Sequence, residues 1–254
     1  MNEFLEYSLL FLSGLFGGAL NAIAGGGGFI TFPSLIFAGA NQVNASAIST
    51  VALWPGNMAS AKAFQEDIRI SKRSVLYLLV IAGLGGLVGA YLLVTVSPKT
   101  FEFLVPYFLL TSWLMFAFSG KILKFFRTQI NVQDRFEYSH AKAIPLFLLS
   151  IYGGYFGAGL GMMILTLFTL YGMNNLNEMN GLKVLMVSVN NGIAAIAFII
   201  SGIIVWDFAI VMFFGAIIGG YYGASLTRTI PQSLVKKVII IIGGIITLYF
   251  FINK

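Results

Sequence analysis

Cysteine is absent from this 254-residue chain, and histidine occurs once. The first absence excludes disulfides, thiolate metal sites and cysteine-based sulfur transfer. The second leaves His140 alone in a polar segment, where it reads as a solvated loop residue, and argues against a histidine metal centre. Charge is also scarce: 9% of residues are charged and 58% are hydrophobic, whereas soluble domains sit near a quarter charged. The chain therefore reads as an integral membrane protein. So few ionisable groups offer no convergent acid–base or nucleophilic set, so no enzyme is expected. Nothing resembles a nucleotide loop, a nucleophile elbow or a metal-binding helix, so no cofactor is expected either.

The formal charge of +6 is not a nucleic-acid signature. Its basic residues cluster in short loops between apolar segments, as membrane topology requires. The N-terminus, Met1-Asn-Glu-Phe-Leu-Glu6, lacks the basic region of a cleavable signal peptide, so the first apolar run reads as a membrane segment.

Apolar stretches fall at 4–24, 28–40, 44–62, 74–96 and 100–120, and again at 142–157, 161–173, 177–200, 207–229 and 233–252. A spanning helix needs about 20 apolar residues. The stretches 28–40 and 161–173 are too short for that and read as half-helices or re-entrant segments. The expected fold is thus an all-α integral membrane protein with two repeats of five segments. One transmembrane domain covers 1–254, with repeat one at 4–120, a polar cytoplasmic connector at 121–142 and repeat two at 143–252.

The two sets superpose without a gap at an offset of 133 (161 − 28). Gly28 then falls on Gly161, Gly39 on Gly172, Asn44 on Asn177, Asn57 on Asn190 and Pro98 on Pro231. Break points, short segments and asparagines recur in register, as in an internal repeat. Lys62, Arg69, Lys72 and Arg73 mark loop 62–73 as cytoplasmic, and Lys121, Lys124, Arg127, Arg135 and Lys142 do the same for the connector. The repeat partner of loop 62–73, around Ser201–Asp207, has no basic residue and should face outward, with Asp207 a helix cap there. Opposite faces for equivalent loops mean inverted repeats, an architecture of secondary transporters with broken helices meeting at midplane. This topology puts the N-terminus outside.

The most informative stretch is Asn21-Ala-Ile-Ala-Gly-Gly-Gly-Gly-Phe29. Four consecutive glycines cost a helix about 3–4 kcal/mol relative to alanine. Non-helical backbone at membrane depth is tolerated only inside protein or along a wet cavity. Gly157-Ala-Gly-Leu-Gly161 breaks the second half at the corresponding place. Half-helices starting after each break would present free N–H groups and positive dipole ends, an arrangement that holds small oxyanions. By contrast, the glycines of 83–89 and 215–220 are expected to permit close helix packing.

Polar candidates flank the breaks: Asn21, Thr31, Ser34, Asn41, Asn44, Ser46, Ser49, Thr50, Trp54 and Asn57 in the first half. Asn174, Asn175, Asn177, Glu178, Asn180, Lys183, Ser188, Asn190 and Asn191 occupy the second. Lys183 lies six residues past Asn177, roughly 9 Å along a helix axis, at the start of an apolar run. It either pairs with Glu178 or anchors an anionic substrate.

The run Asn21–Pro33, then Gly39, then Asn44-Ala-Ser-Ala-Ile-Ser-Thr-Val-Ala-Leu-Trp-Pro-Gly56 resembles the TauE/SafE family of membrane proteins. The likeness extends through nearly the whole chain, including the second glycine motif. It implies a plasma (inner) membrane transporter or exporter of small sulfur-containing anions such as sulfite, sulfoacetate or related organosulfonates. Where the family motif often has a small polar residue after the glycines, this chain has Phe29.

Together these readings point to a carrier of a small anion working by alternating access. Its binding residues are expected to be Gly26, Gly27, Gly28, Thr50 and Asn57 from one half, and Gly159, Gly161, Lys183, Asn190 and Asn191 from the other. Backbone N–H groups would hold the oxygens and Lys183 would balance charge. Thr50 and Lys183 are repeat partners (183 − 133 = 50). The partners expected are the anion and the lipid bilayer, with a coupling proton or sodium ion left open and no nucleic acid. A membrane scaffold or assembly factor is the competing reading.

Overall fold

The computed structural model describes residues 2–127, 140–226 and 232–252, and among these it contains helices and no strand. In the first set, α1 spans Glu3–Ala24, α2 Gly28–Phe37, α3 Gln42–Phe64, α4 Lys72–Thr95 and α5 Pro98–Arg127. In the second, α6 spans His140–Tyr155, α7 Leu160–Leu170, α8 Leu176–Ile200, α9 Trp206–Leu226 and α10 Gln232–Ile252. The short segments at 28–40 and 161–173 fold as helices of 10 and 11 residues, too short to span. Two boundaries differ from the sequence reading. Helix α5 runs through 121–127 and α6 begins at His140, so the connector is shorter than 121–142, and residues 128–139 lie outside the described part.

Local chemistry explains the helix ends. Asn2 caps α1 by accepting from Phe4 N, and Glu3 and Glu6 sit in its first turn, where the helix dipole favours acid. Ser71 accepts from Ser74 N to cap α4, and Asn175 accepts from Asn177 N and Glu178 N to cap α8. Pro98 opens α5, where its missing N–H costs nothing. Gly25 ends α1 with φ +74°, its N–H bonded to Asn21 O at 2.9 Å, a left-handed cap that glycine adopts without strain.

The broadest packing joins the two sets, and the pairings are reciprocal. Helix α1 packs on α9 and α6 on α4; α3 packs on α9 and α8 on α4; α5 packs on α7 and α10 on α2. At the centre α3 meets α8, and α5 meets α10. Exchanging each helix for its counterpart 133 residues away turns this scheme into itself.

Glycine makes the closest of these approaches possible. Gly14 and Gly18 lie under the Met212 and Ala216 carbonyls, and Gly215 and Gly219 lie under those of Phe11 and Leu15. On the counterpart interface, Gly89 meets the Ile151 carbonyl and Gly154 meets that of Gly86. Four-residue spacing of small residues is how helices in lipid bring backbones together, because no hydrophobic force drives them there. The glycines of 83–89 and 215–220 therefore pack helices.

Among the described residues, five helical stretches are long and apolar enough to cross a membrane: Glu3–Ile23, Lys72–Thr95, Pro98–Phe118, Leu176–Ile200 and Trp206–Gly223. This is a multi-pass membrane protein. Helix α3 has the length, but its serines, asparagines and Thr50 lower its hydropathy. Ser46, Ser49, Thr50, Asn57 and Ser60 are all buried within protein.

Candidate functional site

The two chain breaks meet in the middle of the molecule. A Cβ on Gly25 would sit 2.6 Å from Gly161 Cα, and one on Gly161 would sit 2.8 Å from Gly25 Cα. A Cβ on Gly28 would lie 3.0 Å from both Cα and Cβ of Ala158. Each break ends in a helix start without a side-chain cap: Gly27 precedes α2, and Gly159, with φ +78°, precedes α7. A helix start leaves several N–H groups without helical acceptors. Tight turn bonds take some of them, Phe29 N to Gly26 O at 3.1 Å and Leu160 N to Gly157 O at 3.2 Å among them. The N–H groups of Gly26, Gly27, Gly28, Ala158, Gly159 and Gly161 bond no described residue. All six residues are buried, where an unsatisfied N–H is costly.

A small cavity, about 20 Å³, opens between the breaks. That is room for about one water. Its polar side chains are Asn21 from α1, Ser46, Ser49 and Thr50 from α3, and Asn191 from α8; Gly28, Gly157, Ala158 and Gly161 supply backbone. Phe32, Leu53, Phe156, Leu160 and Val187 close the remainder.

Of the residues selected from sequence, Gly28, Thr50, Gly161 and Asn191 line this cavity. The other six border the breaks or neighbouring helices and are not among its lining residues. Gly26 faces Ile239 and Gly27 faces Asn21. Asn57 reaches the cavity indirectly, accepting from Asn21 Nδ2 at 2.6 Å. Gly159 backs onto Ser112 of α5. Asn190 donates to Ala82 O at 3.0 Å and Ser150 O at 2.8 Å, joining α8 to α4 and α6.

Lys183 is 1% exposed. Its stem lies on the break itself: a Cβ on Gly161 would be 3.2 Å from Lys183 Cδ. Its ammonium donates to Asn180 Oδ1 at 3.1 Å, and no described carboxylate pairs with it. The expected alternative partner, Glu178, accepts instead from Arg69 N at 2.7 Å. Burying an ammonium against one neutral amide is expensive.

Within the first half, Thr31 and Ser49 hydroxyls meet at 2.6 Å, tying α2 to α3. Ser46, Ser49, Thr50 and Leu53 fall at helical spacing of three and four, which places them on one face of α3. That stripe was available in the sequence as a signal for the cavity wall.

A model of the family described as sulfite exporter TauE/SafE matches residues 10–250. Among similar curated proteins, one from Haemophilus influenzae named "Probable membrane transporter protein" is 28% identical over 241 residues, covering 94% of this chain and 92% of that protein. "Probable membrane transporter protein YfcA" of Escherichia coli K12 is 25% identical over 247 residues, 96% of this chain and 88% of that one. "Probable membrane transporter protein YunE" of Bacillus subtilis is 21% identical over 269 residues, 96% and 98% respectively. No solved structure matches. With its helical membrane architecture and a family match over nearly its full length, this chain belongs to the TauE/SafE family of membrane transporters.

Proposed function

We propose that the protein carries a small, singly or doubly charged oxyanion, sulfite or a related sulfur-containing anion, across the plasma membrane. The carrying observation is Lys183: a fully buried lysine that no described carboxylate pairs with, its stem laid on the Gly161 break. An anion seated among the free N–H groups of both breaks would supply the missing charge and the missing acceptors together. The two helix starts add their positive dipole ends, and Asn21, Thr50 and Asn191 would orient the ligand.

Sulfur enters through the family, whose description names sulfite. The cavity walls refine the class, because none of the lining residues is acidic. A zwitterion such as taurine would bury its ammonium unpaired, so a plain anion fits better. Cavity size supports transport by alternating access. Space for about one water is too small for an oxyanion, so a carrier built on this site must open further to admit one. Parting the halves where Gly25 meets Gly161 would enlarge the site. The reciprocal helix pairing, the opposed loop charges and the short α2 and α7 fit inverted repeats, with loop 62–73 inside and the N-terminus outside.

A thermal-shift series on purified protein tests this reading, using sulfite, sulfate, thiosulfate, sulfoacetate, taurine and simple carboxylates. A true ligand at a hundred times its Kd stabilises by about 2.7 kcal/mol. Sulfite or another sulfur oxyanion should raise Tm and taurine should not. If no anion does, the carrier reading fails and a scaffold role gains.

A further inference from the structure

Both breaks have a carbonyl held by a hydroxyl pair. At the first, Thr31 Oγ1 donates to Gly27 O at 3.3 Å and meets Ser49 Oγ at 2.6 Å. At the second, the hydroxyls come from helices outside the break's own half-helix. Tyr152, near the end of α6, donates its hydroxyl to Ala158 O at 2.6 Å. The same hydroxyl touches Ser112 Oγ of α5 at unusually short range, and Ser112 Oγ also lies 2.7 Å from Phe108 O. Two hydroxyl protons must serve these three contacts. If Ser112 donated to Phe108 while Tyr152 donated to Ala158, two oxygens would be in close contact with no proton between them. If Tyr152 donated to Ser112, Ala158 O would face an oxygen without a donor. The order Ser112 to Tyr152 to Ala158 leaves the one contact without a proton at Phe108 O rather than at Ala158 O or between the two hydroxyls, and each bond polarises the next. Phe108 O still has its own helical amide partner.

The consequence lies in the next peptide bond. The Ala158–Gly159 unit is planar and trans, so fixing its carbonyl fixes the Gly159 N–H in the opposite direction. That N–H bonds no described residue. Gly159 also has φ +78° and abuts Ser112, whose Cβ would be 3.1 Å from a Cβ at 159. Two soft torsions per residue, and glycine's freedom at 157 and 159, would otherwise let this peptide rotate. Aromatic neighbours fix the tyrosine ring: Phe108 at 5.8 Å and Phe156 at 6.2 Å between centroids. The counterpart positions hold Ala19 (152 − 133) in the first half and Ile245 (112 + 133) in the second, neither bearing a hydroxyl.

We propose that Ser112 and Tyr152 are positioning residues that aim the Gly159 N–H at the transported anion, so that the α7 break is preset for it. This rests on the anion-site reading above. The test is Tyr152→Phe, which keeps the ring and removes one hydroxyl, compared with Ser112→Ala and Ser112→Thr. Loss of one such hydrogen bond corresponds to about a tenfold rise in KM for sulfite flux into proteoliposomes. Vmax should change little, Ser112→Ala should show the same direction, and Ser112→Thr should restore wild-type KM. Hydrogen exchange of a peptide spanning 156–162, measured without any anion, should quicken in Tyr152→Phe and Ser112→Ala. An unchanged KM with unchanged exchange overturns the proposal; so does faster exchange with KM unaltered, because the relay would then be merely structural. If wild-type protein moves no anion, the carrier reading fails on its own. In that case slower or equal exchange in Tyr152→Phe would also reject the relay, and faster exchange would retain it as the device that orders this loop.

Discussion

Gly25 and Gly161 touch backbone to backbone, each occupying the space where the other's Cβ would stand. They come from opposite halves of the chain and join the two breaks at the wall of the cavity. A methyl group at either position must push the breaks apart or shift the cavity wall.

Gly161→Ala is therefore expected to lose transport and to destabilise by about 1–3 kcal/mol through overpacking. Its new methyl would meet Gly25 Cα at 2.8 Å and the Lys183 stem at 3.2 Å. Gly39→Ala is the control, since Gly39 has φ +95° but nothing within 4 Å of a new Cβ. It carries backbone strain of about 1 kcal/mol without crowding and should transport normally. Proteoliposome flux and thermal melts of both variants decide the matter. Wild-type flux from Gly161→Ala would show that the contact has no functional role.

Lys183→Met separates function from stability in opposite directions. Methionine keeps much of the stem's volume and removes a buried ammonium whose one partner among the described residues is Asn180. Replacing a poorly compensated buried charge by an apolar side chain is often neutral or stabilising by about 1–4 kcal/mol. The expected variant melts at or above wild-type temperature and transports no anion. Unfolding would instead reveal a structural lysine, and intact saturable flux would remove it from the anion site.

Asn191 lines the cavity, and its side chain bonds no described residue. Asn191→Asp changes no heavy-atom shape but adds negative charge where an anion is proposed to bind. Repulsion between like charges in a partly desolvated site should weaken anion affinity by at least about tenfold. Anion-dependent thermal shifts measure this directly, with Asn191→Ser as the uncharged comparison. Equal shifts for the aspartate and serine variants would place the anion elsewhere.

Much of this architecture could be read in the chain, for identifiable reasons. Glycine runs at 25–28 and 157–161 mark the breaks because glycine weakens helices whatever surrounds it. Asn2, Ser71 and Asn175 mark helix starts because capping is local. The offset of 133 pairs the helices because each repeat carries its own pattern. The polar cavity wall is half legible: Ser46, Ser49 and Thr50 form a stripe on α3 and all three stand among the polar candidates, yet only Thr50 is among the ten expected binding residues. Lys183 stood out as a charge in an apolar run, but its choice of Asn180 over Glu178 depends on tertiary placement. The contacts of Asn21 with Asn57 and of Tyr152 with Ser112 span 36 and 40 residues, and no local pattern encodes them.

Asn57 and Asn190 show how far repeat symmetry can mislead, since they are counterparts with different work. Asn190 donates to two carbonyls on two other helices. Asn57 accepts from the cavity residue Asn21, and its own amide nitrogen, like Asn190 Oδ1, is buried and bonds no described residue. Asn190→Ala leaves the Ala82 and Ser150 carbonyls without these donors and should cost about 2–3 kcal/mol. Asn57→Ala removes an unsatisfied donor along with one acceptor, so its stability change should stay within about 1 kcal/mol. Its effect should appear in transport, because Asn21 loses the contact that holds its amide at the cavity. A several-fold rise in KM for Asn57→Ala, with a near wild-type melt, is the expected pairing. Asn190→Ala should show the reverse: a lowered melt, with KM little changed in the protein that remains folded. Matching behaviour in the two variants would mean that both asparagines serve the helix packing alone.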